Sequence, residues 1–243
     1  MKNRDPDENG WETSAPAWIA RTGDKGDYAR AHVLDKIMLE RSTQHHPKNA
    51  LDIGCGEGRF CRMLAQNDIV ATGIDPVAAM IEEAQRLHPA GTYIEGYAEH
   101  LDIPDESFDL VVSYLALIDI DDITAAISEM ARVLNPGGHI IVANLTGFST
   151  SSAPYGKRIC RETGEVLRPI GTYLEERRDW FEWDGVRVQN WHRPLSRYMK
   201  LFLQAGLKLS YFDEPEPHSG PQDRLDAYRQ MPFLMAMEWQ KPR

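Results

Sequence analysis

From residue 50 to residue 145 the chain alternates short apolar runs with amphipathic ones. That rhythm restricts it to an α/β fold: a mostly parallel sheet with helices on both faces. Residues 50–53 read as a first strand, ending in the glycine-rich Gly54-Cys55-Gly56-Glu57-Gly58, and residues 60–66 as the helix that follows. A second strand, 69–74, ends at Asp75-Pro76. The next helix, 77–87, carries Met80, Ile81, Ala84 and Leu87 on one side. Pro76 suits the first turn of that helix, where a missing N–H costs nothing. A third strand lies near 92–95. The fourth, 108–114, is almost wholly apolar, as expected where both sheet faces are covered. Asp121 or Asp122 is placed to cap a helix over 123–134, Asn135-Pro136-Gly137-Gly138 stops it, and 139–145 is a fifth strand.

The flanks follow other rules. The first dozen residues are polar, carry Pro and Gly, and are expected to be loosely held. Val33, Leu34, Ile37 and Met38 share one helical face between 29 and 40, and His45-His46-Pro47 ends that run. Residues 148–194 lack a comparable apolar strand yet hold Trp180, Trp183 and Trp191, three of the six tryptophans. Alternation there predicts a hairpin turning at Asp184-Gly185. Ser196 is placed as the N-cap of a helix running to Ala205 and stopped by Gly206, with last strands at 207–212 and 233–239. Four segments result: an N-terminal helical segment (1–46) closing over the ligand, an α/β core (47–146), a lid insertion over the ligand edge of the sheet (147–194), and a closing helix with the last strands (195–243).

Twenty-seven Lys and Arg against 37 Asp and Glu give a net charge of −10, which disfavours nucleic-acid binding. Locally the sign reverses, with ten basic against seven acidic residues between 150 and 200. No apolar run approaches the ~18–20 residues of a membrane span, and the start lacks a signal-peptide layout. Three cysteines without a CxxC pair suggest neither a disulfide framework nor a zinc site. The expectation is a cytoplasmic globular protein with no metal and no membrane partner, its oligomeric state open.

The glycine turn and Asp75 stand at the carboxyl ends of adjacent parallel strands, where open α/β sheets bind ligands. Glycines let the backbone approach a ligand, and a carboxylate there can accept both hydroxyls of a ribose, so a nucleoside is the expected ligand. The dinucleotide pattern G-x-G-x-x-G would need glycine at position 59, which is Arg59, and no phosphate loop ending Gly-Lys-Ser/Thr is present. LDIGCGEGRF (51–60), GIDPVAAM (73–80), YAEHLDIPDESFDLVVSYLALI (97–118) and MARVLNPGGHIIVANL (130–145) together resemble the class I S-adenosylmethionine-dependent methyltransferases, in their UbiE-like or type 11 branch. The resemblance covers about residues 50–146. It implies a Rossmann-like seven-stranded sheet with the last strand antiparallel, and S-adenosylmethionine as cofactor. Carried over residue by residue, Gly54 and Gly56 would approach the methionine part and Asp52 would orient its amino group. Asp75, with Pro76 beside it, would take the ribose hydroxyls. Tyr97, Ala98 and Glu99 would meet the adenine, and Ser113 would line the methionine side. Many relatives have Asp where this chain has Tyr97, so either Tyr97 stacks on the base or Glu99 takes over the hydrogen bond.

The implied reaction is methyl transfer to an oxygen or nitrogen atom of a small molecule. Such a transfer needs orientation and exclusion of water, and a general base helps. His192 is the candidate base, in the segment WHRPLSRYMKLFLQAGL (191–207), which also resembles a stretch recurring in this branch. Tyr28, Leu115, Trp191 and Arg193 are the candidate substrate contacts, with Arg178 and Arg197 as further partners for an anionic group. The competing readings are a tRNA or rRNA methyltransferase, a nicotinamide-dependent oxidoreductase, and a protein that binds the cofactor without turnover.

Overall fold

The computed structural model describes residues 9–243. Among the described residues the first element is α1 (Trp11–Thr22), where the sequence suggested a loosely held start; residues 1–8 of that expectation lie outside the described residues. Local signals for α1 are poor, since it contains Pro16 and its N-cap is Gly10, leaving Asn9 Oδ1 to accept the Trp11 N–H at 3.2 Å. Tertiary packing holds it: Ala15 and Trp18 are buried with Val77, Met80, Val186 and Val188. The expected helix over 29–40 is in two parts, a π-helical turn at Arg30–Leu34 and α2 (Asp35–Thr43).

Then come β1 (Asn49–Ile53), α3 (Arg59–Ala65), β2 (Val70–Asp75), α4 (Ala78–Leu87), β3 (Thr92–Glu95), β4 (Phe108–Tyr114), α5 (Ile123–Val133) and β5 (Leu134–Leu145). Asp122 is the cap of α5, its Oδ1 accepting from the N–H groups of Thr124 and Ala125. The helix ends at Val133, ahead of the expected stop, and Asn135–Gly138 belong to β5, which starts early because Leu134 already pairs with Phe108. Helix α6 (Gly147–Ser152), β6 (Arg158–Ile159) and β7 (Val166–Leu167) precede the hairpin β8 (Arg177–Trp183) and β9 (Val186–His192), which turns at Asp184-Gly185. Both turn residues have positive φ, 44° and 84°, the conformation a two-residue hairpin needs. Helix α7 (Leu195–Gln204) is capped by Pro194 rather than Ser196, which sits inside the first turn. The chain ends with β10 (Lys208–Asp213), α8 (Gln222–Gln230), which the sequence did not announce, and β11 (Leu234–Gln240).

Seven strands form one sheet in the order β10-β11-β5-β4-β1-β2-β3, with β11 antiparallel to both neighbours. Alternation sorts the core onto two faces. Leu51, Ile53, Val111 and Ile140 pack in one cluster with residues of α5 and α7, while Ala50, Leu110, Val112 and Ile141 pack with those of α2 and α3. Among the described residues no helix is long and apolar enough to cross a membrane.

One buried charge ties the N-terminal helices to the last strand. Glu238 on β11 has a side chain only 1% exposed. It accepts from Arg41 Nε (2.8 Å), Gln44 Nε2 (2.9 Å), His45 Nε2 (2.9 Å), His139 Nδ1 (2.8 Å) and Ser210 Oγ (3.0 Å). Burial alone would raise its pKa, but the bonds from His139, His45 and Ser210 and the Arg41 cation outweigh that and hold it at about 2. A depressed folded value means the stabilisation is complete above the unfolded value near 4.5 and is lost as pH falls toward 2. Unfolding measured from pH 7 to pH 2 should show on the order of 3 kcal/mol lost in that window, and Glu238→Gln should remove the slope while lowering stability at neutral pH.

Candidate active site

The carboxyl ends of β1, β2 and β4 open into a cavity of about 330 Å³. It lies at the switch point of the sheet, since β2 and β3 extend from β1 on one side and β4 and β5 on the other. The glycine turn after β1 is clamped to β2: the N–H groups of Gly54 and Cys55 both donate to the Ile74 carbonyl, at 2.8 and 3.0 Å. Gly54 has φ +70°, and a Cβ there would stand 2.4 Å from the Ala116 methyl. At Gly56, φ +54°, a Cβ would meet no protein atom within 4 Å, so the backbone is bare on its cavity side. Gly58 does not line the cavity; a Cβ there would strike the Tyr93 ring at 2.6 Å, so its role is packing of α3 on the sheet.

Two carboxylates face this turn. Asp52 is buried; its Oδ2 accepts the Cys61 thiol (3.4 Å) and its Oδ1 has no hydrogen-bond partner among the described residues. Burial pushes its pKa up to about 7, the Cys61 bond opposing and the charges of Asp75 and Glu57 adding to the rise. Asp75 accepts Gly56 N–H on Oδ2 (2.9 Å) and Val77 N–H on Oδ1 (3.0 Å), so it braces the turn and starts α4 while facing the cavity. Burial lifts it to about 6 against the pull of those two bonds. Pro76, Tyr97, Ala98, Glu99 and Leu115 also line the cavity, Leu115 with a left-handed φ of +59°. Glu99 Oε1 accepts the Asp122 N–H at 3.4 Å.

The other expected site residues lie elsewhere. Ser113 is on β4 opposite Ile53, so the period-2 alternation turns it to the face away from Asp52, and it does not line the cavity. Tyr28 packs against His32 and Tyr228, centroids 4.8 and 6.1 Å away, outside the lining. Trp191 donates its indole N–H to Asp121 (2.9 Å) and lies under Arg193 and Arg178. Arg193, 2% exposed, donates to the carbonyls of Leu117, Ile120 and Asp121, which leaves it holding the turn after β4 rather than an anionic substrate. Arg178 pairs with Asp121, and Arg197 with Glu176. His192 is the largest correction. Its Nε2 faces the Tyr173 carbonyl (2.9 Å) and its Nδ1 the Thr150 hydroxyl (2.7 Å), both nitrogens are engaged, and the ring is not part of the cavity wall. Burial lowers its pKa, which suits a neutral structural imidazole pinning α6.

In their place the cavity gains Trp11 and Trp18 from α1, Arg30 from the π-helical turn, Asp119 after β4, and Trp183 and Asn190 from the hairpin. No local pattern marks them, because they meet only when α1 and the hairpin fold over the sheet. A separate group, His45, His139 and Glu238, brings ligand-type atoms within 4.8 Å of one another. Its two imidazoles are stacked, centroids 3.6 Å apart and planes 9° from parallel, so an ion ~2.0–2.1 Å from both nitrogens cannot lie in both ring planes.

The cavity fits a cationic nucleoside. The orphaned Asp52 oxygen calls for a charged donor, Asp75 keeps lone pairs for a diol, and the bare Gly56 backbone leaves room beside both. A pyrophosphate at the start of α3 would instead meet Glu57 and Asp75. Residues 51–142 match the family described as "Methyltransferase domain". A malonyl-(acyl-carrier protein) O-methyltransferase from Serratia marcescens is 32% identical over 128 residues, 51% of this chain and 50% of that protein. An ajmaline N-methyltransferase from Rauvolfia serpentina is 29% identical over 186 residues, 74% of this chain and 58% of that protein. The chain spans about half the length of the malonyl-(acyl-carrier protein) relatives it matches. In fold it is similar to an S-adenosylmethionine-dependent methyltransferase from Mesorhizobium loti, with a TM-score of 0.76, 24% identity, and coverage of 90% of this chain and all of that one. Residues 51–142 thus match a methyltransferase domain, and the seven-stranded sheet that holds them is similar in fold to solved S-adenosylmethionine-dependent methyltransferases.

Proposed function

We propose that the protein transfers a methyl group from S-adenosylmethionine to a nitrogen or oxygen atom of a small molecule. The observation that carries this reading is the meeting of the bare Gly56 backbone, Asp75 and the underbonded Asp52 in one cavity. The names of the relatives support it, one being an O-methyltransferase and another an N-methyltransferase. Bound there, S-adenosylmethionine supplies a methyl carbon already activated by its sulfonium. Asp75 would accept the ribose hydroxyls, and Asp52 would accept the amino group of the methionine end. Arg30, whose charge is felt by Asp52, would face the carboxylate of that end. Tyr97, Ala98 and Glu99 would border the adenine. Trp11, Trp18 and Trp183 would exclude water and fix the acceptor, and orientation of this kind supplies several kcal/mol of rate acceleration.

In this reading residues 47–146 hold the cofactor, 1–46 and 147–194 close over it, and 195–243 complete the sheet. Three free cysteines, two of them buried, suit a reducing compartment such as the cytoplasm. An acidic cavity wall and a net charge of −10 favour a small acceptor over RNA.

Thermal shift with S-adenosylmethionine, S-adenosylhomocysteine and NAD tests the cofactor; stabilisation by NAD and by neither adenosyl ligand would overturn the reading. Asp75→Ala should weaken S-adenosylhomocysteine binding about 10- to 100-fold, the worth of charge-assisted hydrogen bonds of ~1.5–3 kcal/mol. The free protein keeps part of its carboxyl groups protonated, with Asp52 near 7 and Asp75 near 6, whereas a cationic ligand requires them ionised. Calorimetry in buffers of different ionisation heat should therefore detect proton release near pH 6 to 7, with affinity falling on acidification. Asp52→Asn should remove the upper part of that dependence.

A further inference from the structure

The cavity wall also includes the turn that follows β4. That turn, closed by Asp119 N–H donating to the Ala116 carbonyl at 2.9 Å, presents the Asp119 carboxylate to the cavity. Asn190 Nδ2 donates to its Oδ1 at 2.5 Å, and the Trp11 indole is a second donor. Three elements far apart in sequence therefore converge on this carboxylate: the turn after β4, the inner hairpin strand β9, and the first turn of α1. Burial pushes its pKa up to about 7, against the pull of the Trp11 and Asn190 bonds. Aromatic surface adjoins it, with Trp11 meeting Trp18 edge-on at a centroid distance of 5.5 Å.

The charges around it are one-sided. Asp119, Asp121, Asp52 and Asp75 all line the cavity, and of these Asp121 is paired with Arg178. Of the two arginines among the described residues of the wall, Arg59 is paired with Asp35. Arg30 is paired with Asp27 at 2.9 Å, packed against the faces of Trp18 and Tyr114, and in the methyl-transfer reading already taken by the carboxylate of the methionine end. An anionic acceptor would meet carboxylates there with no unpaired cation among the described residues of the wall. A protonated amine would meet a carboxylate beside aromatic side chains of the same wall, surroundings that favour a cation in a desolvated site.

We infer that the acceptor is an amine and that Asp119, held by Asn190 and Trp11, binds its ammonium group and takes its proton. The inference rests on the methyl-transfer reading. The ammonium gives one proton to the Asp119 carboxylate, which frees the nitrogen lone pair. That pair forms the bond to the methyl carbon as the carbon–sulfur bond breaks, and the electrons of that bond stay on sulfur, which becomes a neutral thioether. The positive charge now resides on the methylated amine, and Asp119 passes its proton to water as the product leaves.

The test is a binding measurement on the protein saturated with S-adenosylhomocysteine, with matched probes of one aromatic frame: phenethylamine, 2-phenylethanol and phenylacetate. The amine should bind about tenfold more tightly than the alcohol, and the carboxylate most weakly. Asp119→Asn keeps the shape of the side chain and should bring the amine-to-alcohol ratio to about one, with S-adenosylhomocysteine affinity unchanged. Phenylacetate or the alcohol binding at least as well as the amine, no binding of the amine, or an amine preference that survives Asp119→Asn would each overturn the inference. The probe comparison needs no variant, so a poorly folded Asp119→Asn would not spare it. Failure of S-adenosylhomocysteine itself to bind would instead refute the cofactor assignment.

Discussion

The clamp between the glycine turn and β2 is the constraint on which the site depends. The Ile74 carbonyl takes two N–H donors from the turn, and Asp75, the next residue, takes a third from Gly56. A single strand end thus fixes both the path of the turn and the direction of the carboxylate beside it. Positive φ at residues 54 and 56 is needed for that path, and the Ala116 methyl leaves no room for a side chain at 54. The clamp also leaves the Gly56 backbone uncovered. Backbone geometry, more than any one side chain, makes the cavity a place where a ligand can lie against the protein.

The roof arises differently. Helix α1 and the β8–β9 hairpin are joined by Ser14 Oγ, which donates to the Arg187 carbonyl at 3.0 Å and accepts the Arg187 N–H at 2.9 Å. Beneath them Val77 and Met80 of the α4 region complete a small apolar cluster separate from the two main cores. The roof rests on a satellite cluster rather than on the sheet core, so it can loosen at lower cost than the sheet itself. That is the mechanical property a closed, water-free methyl-transfer site needs if ligands are to enter and leave.

What the sequence disclosed follows the range of its signals. The strand–turn–helix units, the Asp184-Gly185 hairpin and the residues of the glycine turn are written in short local patterns, and they are where the patterns put them. Ser113 failed because strand alternation gives two faces and local sequence does not say which face meets the ligand. His192 and Arg193 failed because their partners, Thr150, Tyr173 and the Leu117–Asp121 carbonyls, lie 19 or more residues away and saturate them. Arg30, Asp119 and Asn190 were silent for the same reason: α1, the turn after β4 and the hairpin meet only in the folded chain. Helix α1, with a proline inside and a glycine at its N-cap, is held by packing that no window of its own residues reveals.

Two buried acids show how a structural carboxylate differs from one reserved for a ligand. Glu238 and Asp52 are each about 1% exposed, and burial raises the pKa of both. Around Glu238 the protein provides five donor residues, two of them imidazoles and one a guanidinium, and the carboxylate falls to about 2. Around Asp52 it provides one weak thiol donor and two further acids, and the carboxylate rises to about 7. A buried acid short of donors is costly in the free protein, and the cost is recovered only when a cation with N–H groups enters. The same arithmetic of donors applies to Asp119, which has two neutral donors and, among the described residues, no cation in hydrogen-bond contact. Donor supply, rather than burial or residue type, therefore separates the carboxylates that hold this fold together from those that leave a place for positive charge.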